Sequence, residues 1–156
     1  MIYSRSTEYA IRALVPLAEA PGGRYTMVKT IAEQEKIPTH FLAKILQQLA
    51  RKGLLKSSKG PLGGFSLNLP PEDIRLLDIV EALDGLEPYQ LREAPDPYGP
   101  DGLYCAQHAE WQALHGEIVS YLERNTVADL VKALGIKRRS LARKAKRRAA
   151  AAARRN

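Results

Sequence analysis

The sequence predicts a mainly α protein with one small β-hairpin, a winged helix-turn-helix domain followed by a long helix. Four stretches carry that reading. Leu42, Ile45, Leu46 and Leu49 recur at the i, i+3, i+4, i+7 spacing of a helix with one buried face. Behind them, Gly53 stands where a helix ends, residues 54–58 can extend, and the run Lys59-Gly60-Pro61-Leu62-Gly63-Gly64 can only turn. Phe65, Leu67 and Leu69 then alternate with Ser66 and Asn68, the pattern of a half-buried strand. Further on, Trp111, Leu114, Ile118 and Tyr121 stand at near-heptad spacing in a helix of about residues 106–124.

Taken in order, the chain opens with a helix from Ser6 to Glu19, capped by Ser6 or Thr7, with Ile11, Leu14, Val15 and Ala18 inward. Pro16 removes one backbone donor and is expected to bend that helix near Arg12. Pro21-Gly22-Gly23 ends it. Thr26 is the expected cap of the next helix, which turns Val28, Ile31 and Ala32 inward, and Ile37-Pro38 leads into the helix of the Leu42 stripe. After the hairpin, Pro70-Pro71 breaks the chain. Leu76, Ile79, Val80 and Leu83 make a short amphipathic helix stopped at Gly85. Residues 87–104 hold four prolines, two glycines and no periodicity, which predicts a loop. Thr126 and Asp129 form a capping signal for a last helix bearing Leu130, Val131 and Leu134. This divides the chain into a winged helix-turn-helix (1–86), an effector-type loop (87–105), dimerisation helices (106–135) and a basic, disordered tail (136–156).

Charge is distributed unevenly. The formal net charge is +7, but ten of the 24 basic residues and none of the 17 acidic ones fall within 137–156, leaving a net of −3 before that point. Within this mildly acidic body, Lys36 to Pro71 carries six basic residues and no acid. An acid-free window of this kind suits a polyanion, because phosphates supply much of the affinity in DNA binding. The face opposite the apolar stripe holds His40, Lys44, Gln47 and Arg51, with Thr39 at its start. The hairpin adds Lys56, Lys59 and Gly60 at its tip. These eight residues are the candidate contacts with double-stranded DNA. A solvated basic helix on an ordinary small domain is the bland alternative, and the Lys-Gly-Pro tip beside it favours DNA.

Other classes find less support. Cys105 is the only cysteine, so no intrachain disulfide forms and nothing argues for secretion. Arg12 and Glu19 interrupt the first apolar run, which is no signal peptide, and no stretch reaches the ~20 apolar residues of a membrane helix. A cytoplasmic protein without a membrane partner is expected. Cys105 with His108 or His115 could suggest a thiol enzyme, yet no Gly-rich oxyanion signature lies near, and the chain reads as no enzyme.

The order helix, Thr-led helix, HFLAKILQQLARKGLLKSSKGPLGGFSL, LLDIVEALDG and CAQHAEW resembles the Rrf-type (BadM-type) bacterial transcription regulators over about residues 1–135. The resemblance implies a homodimeric DNA-binding regulator, expected to be a repressor, on a near-palindromic operator. The second helix of the pair would enter the major groove, the wing tip would reach the minor groove, and Trp111, Leu114, Ile118 and Tyr121 would cross the partner. Lys59 stands where many members carry Arg. His40 and Lys44 fall at base-contacting positions, though neither is the usual residue there. An architectural DNA-binding protein with no sensed ligand is the alternative, and the basic tail favours it.

Many members hold an iron–sulfur cluster at Cys-x5-Cys-x5-Cys-x2-His spacing. Here only Cys105 and His108 match, and Glu93 and Gly99 occupy the two upstream positions. The expectation is therefore no cofactor, with a cluster or an altered redox site on Cys105, His108 and Glu93 as the alternative. Without one, Cys105 packs as a small apolar residue and His108 caps or packs the helix start.

Overall fold

The computed structural model describes residues 3–61, 63–85 and 103–137. Its elements are α1 (Arg5–Glu19), α2 (Val28–Glu35), α3 (Thr39–Arg51), β1 (Leu55–Ser58), β2 (Gly64–Leu67), α4 (Leu76–Leu83) and α5 (Leu103–Arg124). A last helix, α6, runs over residues 127–137. The single core is built where α1, α3 and α4 converge. Leu14, Ile31, Leu42, Leu46, Leu49, Ile79 and Val80 are wholly inaccessible there.

The α1 cap differs from expectation. Ser4, not Ser6 or Thr7, accepts the hydrogen bond from the Thr7 amide at 3.2 Å. Thr7 is fully buried one turn inside, where its hydroxyl donates to Asp84 Oδ2 at 3.0 Å. The helix continues unbroken through Pro16. Asp84, at the end of α4, also accepts from the Ser4 amide at 2.9 Å and from its hydroxyl. One carboxylate thus ties the start of α1 to the end of α4.

Thr26 does not cap α2; Met27 holds that position without a side-chain bond. Thr26 exchanges backbone hydrogen bonds with Phe65 instead, at 2.9 and 3.0 Å. This single antiparallel bridge ties the start of α2 to β2. Within the antiparallel hairpin, Leu55 pairs with Leu67 and Ser58 with Gly64. Phe65 is buried as expected, but so is Ser66, while Leu69 is 40% exposed. The half-buried alternation therefore fails in β2, which is covered on both faces.

Helix α5 begins at Leu103, so Cys105 lies within its first turn rather than before it. Its inward residues include Leu122, wholly buried, and His115, 8% exposed. Ile118 packs half-buried against the same core. After α5, Leu76 donates its amide to the Asn125 carbonyl and Val127 donates to that of Ile74, both at 2.9 Å. These bonds anchor α6 beside the start of α4. The capping box is formed as expected: Thr126 Oγ1 meets Asp129 Oδ2 at 2.8 Å, and the Asp129 amide donates back to Thr126 Oγ1 at 3.3 Å.

Candidate nucleic-acid interface

Helix α3 separates its two faces completely. Leu42, Ile45, Leu46 and Leu49 are at most 4% exposed, whereas Thr39, His40, Lys44, Gln47 and Arg51 are all exposed. Gly53 ends the helix with φ 82°, and the chain turns directly into β1. Leu54 and Leu55 are buried, so the hairpin is fixed at its root while Lys56, Lys59 and Gly60 project. Two glycines make the projection possible. A Cβ on Gly64 would collide with the backbone of Thr26 and Met27, and one on Gly63 with the carbonyls of Ser58 and Gly60. The basic helix face and the basic wing therefore spring from one packed root at Leu49, Leu54 and Leu55.

Residue Gln48 qualifies the reading of α3 as two-faced. Its amide nitrogen donates to the Ala82 carbonyl at 3.0 Å, tying α3 to the last turn of α4. Lys36, between α2 and α3, takes a left-handed conformation at φ 54°, and its amide closes the C-terminus of α2. The sequence reading missed this residue's backbone role, since a left-handed lysine has no strong local signature. It also missed Arg24 and Lys29, exposed cations flanking the segment that pairs with β2.

The remaining expected site residues fall elsewhere. Leu114 and Tyr121 are each 49% exposed on α5. The Tyr3 phenol is pushed up by burial, with the charges of Tyr121 and Glu8 adding to the shift. Cys105 and His108 both lie in α5, three residues apart. Their side chains, that of Trp111, and Glu93 entirely, lie outside the described residues. Among the described residues, no three His, Cys, Asp or Glu side chains gather as a metal site. No described helix is long and apolar enough to cross a membrane.

The family model of Rrf2, described as an iron-dependent transcriptional regulator, matches residues 3–133. The chain belongs to the Rrf2 family. An HTH-type transcriptional regulator of Aquifex aeolicus is 35% identical over 139 residues, covering 84% of this chain and 92% of the relative. The HTH-type transcriptional regulator CymR of Bacillus subtilis is 28% identical over 131 residues, covering 83% and 89%. Among solved structures, CymR of B. subtilis, described as the global cysteine regulator, superposes with a TM-score of 0.71 at 27% identity, over 83% of this chain and 95% of that one. IscR of T. potens superposes with a TM-score of 0.66 at 26% identity, over 84% and 86%. As an Rrf2 protein with this winged helix, the chain is a DNA-binding transcriptional regulator.

Proposed function

We propose that the protein acts as a homodimeric repressor that reads a near-palindromic operator with α3 and grips the flanking minor groove with the wing. The observation that carries this is the exposure of Thr39, His40, Lys44, Gln47, Arg51, Lys56, Lys59 and Gly60 on an α3–hairpin unit whose apolar face is buried. An α-helix fits the major groove, where His40, Lys44 and Gln47 offer donors and acceptors to base edges. Arg51, Lys56 and Lys59 supply charge to phosphates. The test is DNA binding by Lys44→Ala and Lys59→Ala. Each is expected to weaken operator binding, and Lys44→Ala to shift base preference at a cost of about 1–3 kcal/mol. Unchanged binding in the double variant refutes the assignment.

For the dimer, the support is the exposed apolar pair Leu114 and Tyr121, seven residues apart on α5. Ile118, half-buried beside them, would extend the surface that a second copy covers, and Trp111 joins that set on its spacing in the sequence alone. Two copies would present two α3 helices to successive major grooves. Sedimentation at micromolar concentration should give the dimer mass; a folded monomer refutes it.

The donor set does not fit the iron–sulfur cluster that the family resemblance implies. One subunit contains one cysteine, Cys105, and position 99 is a glycine with no side-chain donor atom. A cluster iron takes chiefly thiolate ligands, and His108 and Glu93 complete at most three donors. We therefore assign the protein no resident cluster. Anaerobically purified protein is expected to be colourless, and a reconstituted visible cluster spectrum would overturn that. Cys105 is then left as a thiol in the first turn of α5, where oxidation to a sulfenic acid or an intersubunit disulfide is a route to redox response. Under peroxide, wild type is expected to lose DNA binding and Cys105→Ser to keep it. Equal loss in both excludes the thiol as the switch.

A further inference from the structure

Arg12 and Tyr9 stand one turn apart on α1, and each grips a different side of the turn between α2 and α3. The Arg12 guanidinium donates through Nη2 to the carbonyl of Glu35, the last residue of α2, and through Nε to Glu35 Oε2 at 3.4 Å. A carbonyl at a helix C-terminus has no partner within its helix, so Arg12 serves as its cap. Tyr9 meets Phe41 edge-on, with ring centroids 5.8 Å apart and planes at 86°. The same guanidinium lies 5.8 Å over the Tyr9 ring, which joins the two grips into one unit. Between Glu35 and Phe41 lie the left-handed Lys36, the buried Ile37, Pro38, and the exposed Thr39 and His40.

We propose that Arg12 and Tyr9 are positioning residues for operator reading: from α1 they fix the first turn of α3 and, with it, Thr39 and His40. This rests on α3 being the reading helix. Attraction to phosphates falls off slowly with distance and tolerates a loosened helix. Hydrogen bonds to base edges require donor–acceptor separations near 3 Å, and do not tolerate it. Loss of the grip therefore costs discrimination before it costs general affinity. Arg12 is 38% exposed, so its replacement leaves the core filled.

The experiment uses the full chain and two duplexes: one selected by the unaltered protein from a randomised pool, and its scrambled counterpart. Arg12→Gln is expected to weaken binding to the selected duplex about tenfold, the scale of a misplaced base contact. Binding to the scrambled duplex should stay within about twofold, since the cations facing phosphate remain. Arg12→Lys should restore part of the ratio, because an ammonium still donates to the Glu35 carbonyl. Tyr9→Leu should lower it independently. If Arg12→Gln and Tyr9→Leu keep the wild-type ratio while the His40→Ala/Lys44→Ala double variant loses it, the positioning role is wrong and α3 remains the reader. If all three keep it, α3 is not the reading helix. Should Arg12→Gln lose its helical circular dichroism, Tyr9→Leu and Phe41→Leu decide by the same ratio.

Discussion

Asp84 shows how much one side chain can hold in this fold. It accepts from the Ser4 amide, the Ser4 hydroxyl and the hydroxyl of Thr7, which is wholly buried. Replacing it with Ala strands that hydroxyl without its partner. Asp84→Ala is expected to lower unfolding free energy by about 1–3 kcal/mol, measured by urea denaturation, while Asp84→Asn loses less because its amide oxygen still accepts. A neutral Ala variant would mean the clasp contributes nothing. Gly64 fails differently. With φ 155° and the Thr26 backbone where a Cβ would stand, Gly64→Ala must push the hairpin off residue 26. Its expected cost is roughly 1–3 kcal/mol, with weaker DNA binding from a displaced Lys59. Neither role was legible in the sequence. Asp84 lies 77 residues from Thr7, and Gly64 looked like turn chemistry alone, because close approach by a distant backbone leaves no local mark.

Among the elements, α6 shows local chemistry acting alone. The Asp129 carboxyl is held below the usual carboxylate range by hydrogen bonds from the Thr126 hydroxyl and amide, with Lys132 adding a smaller effect. Its folded pKa lies below its unfolded one, so the stabilisation is full above the unfolded value of about 4 and is lost as pH falls through the folded value. The melting temperature of Asp129→Asn should therefore lie below wild type at neutral pH and converge on it under acid. A constant gap across that range would show that the cap does not act through charge. Elements of this kind were readable in advance: the 126–129 signal, the α3 stripe and the Gly53 stop each depend on residues within a turn or two. The start of α1 and the role of Thr26 were not. Ser6, Thr7 and Thr26 have the right chemistry for caps, and tertiary partners claimed Thr7 and Thr26. For α5, heptad spacing grouped Ile118 with Leu114 and Tyr121, but the fold turns Ile118 half inward beside Leu122. Periodicity marks apolar positions without saying which core receives them.

Over the whole molecule, the charge pattern separates two ways of meeting DNA. The acid-free surface of α3 and the wing is built into the packed body. The ten Lys and Arg residues of 137–156 begin at the last residue of α6, which is anchored beside Ile74 and Arg75, and residues beyond 133 lie outside the family match. A segment with this composition has no apolar face to bury and no acidic partner of its own. Fully extended, its 20 residues reach about 65–70 Å, far enough to pass along duplex on either side of an operator. We infer that the tail neutralises phosphates without reading sequence. Removal of residues 137–156 should then lower affinity by the same factor on selected and scrambled duplexes. The slope of log affinity against log salt should become shallower by about 0.9 for each phosphate that the tail no longer neutralises. Lengthening the DNA beyond the operator should strengthen binding by the full chain more than by the shortened one, because only the former can use the flanks. The core closes by Val127, so the shortened chain keeps its fold. A truncation that removes operator preference while leaving the salt slope unchanged would place the tail within the reading surface.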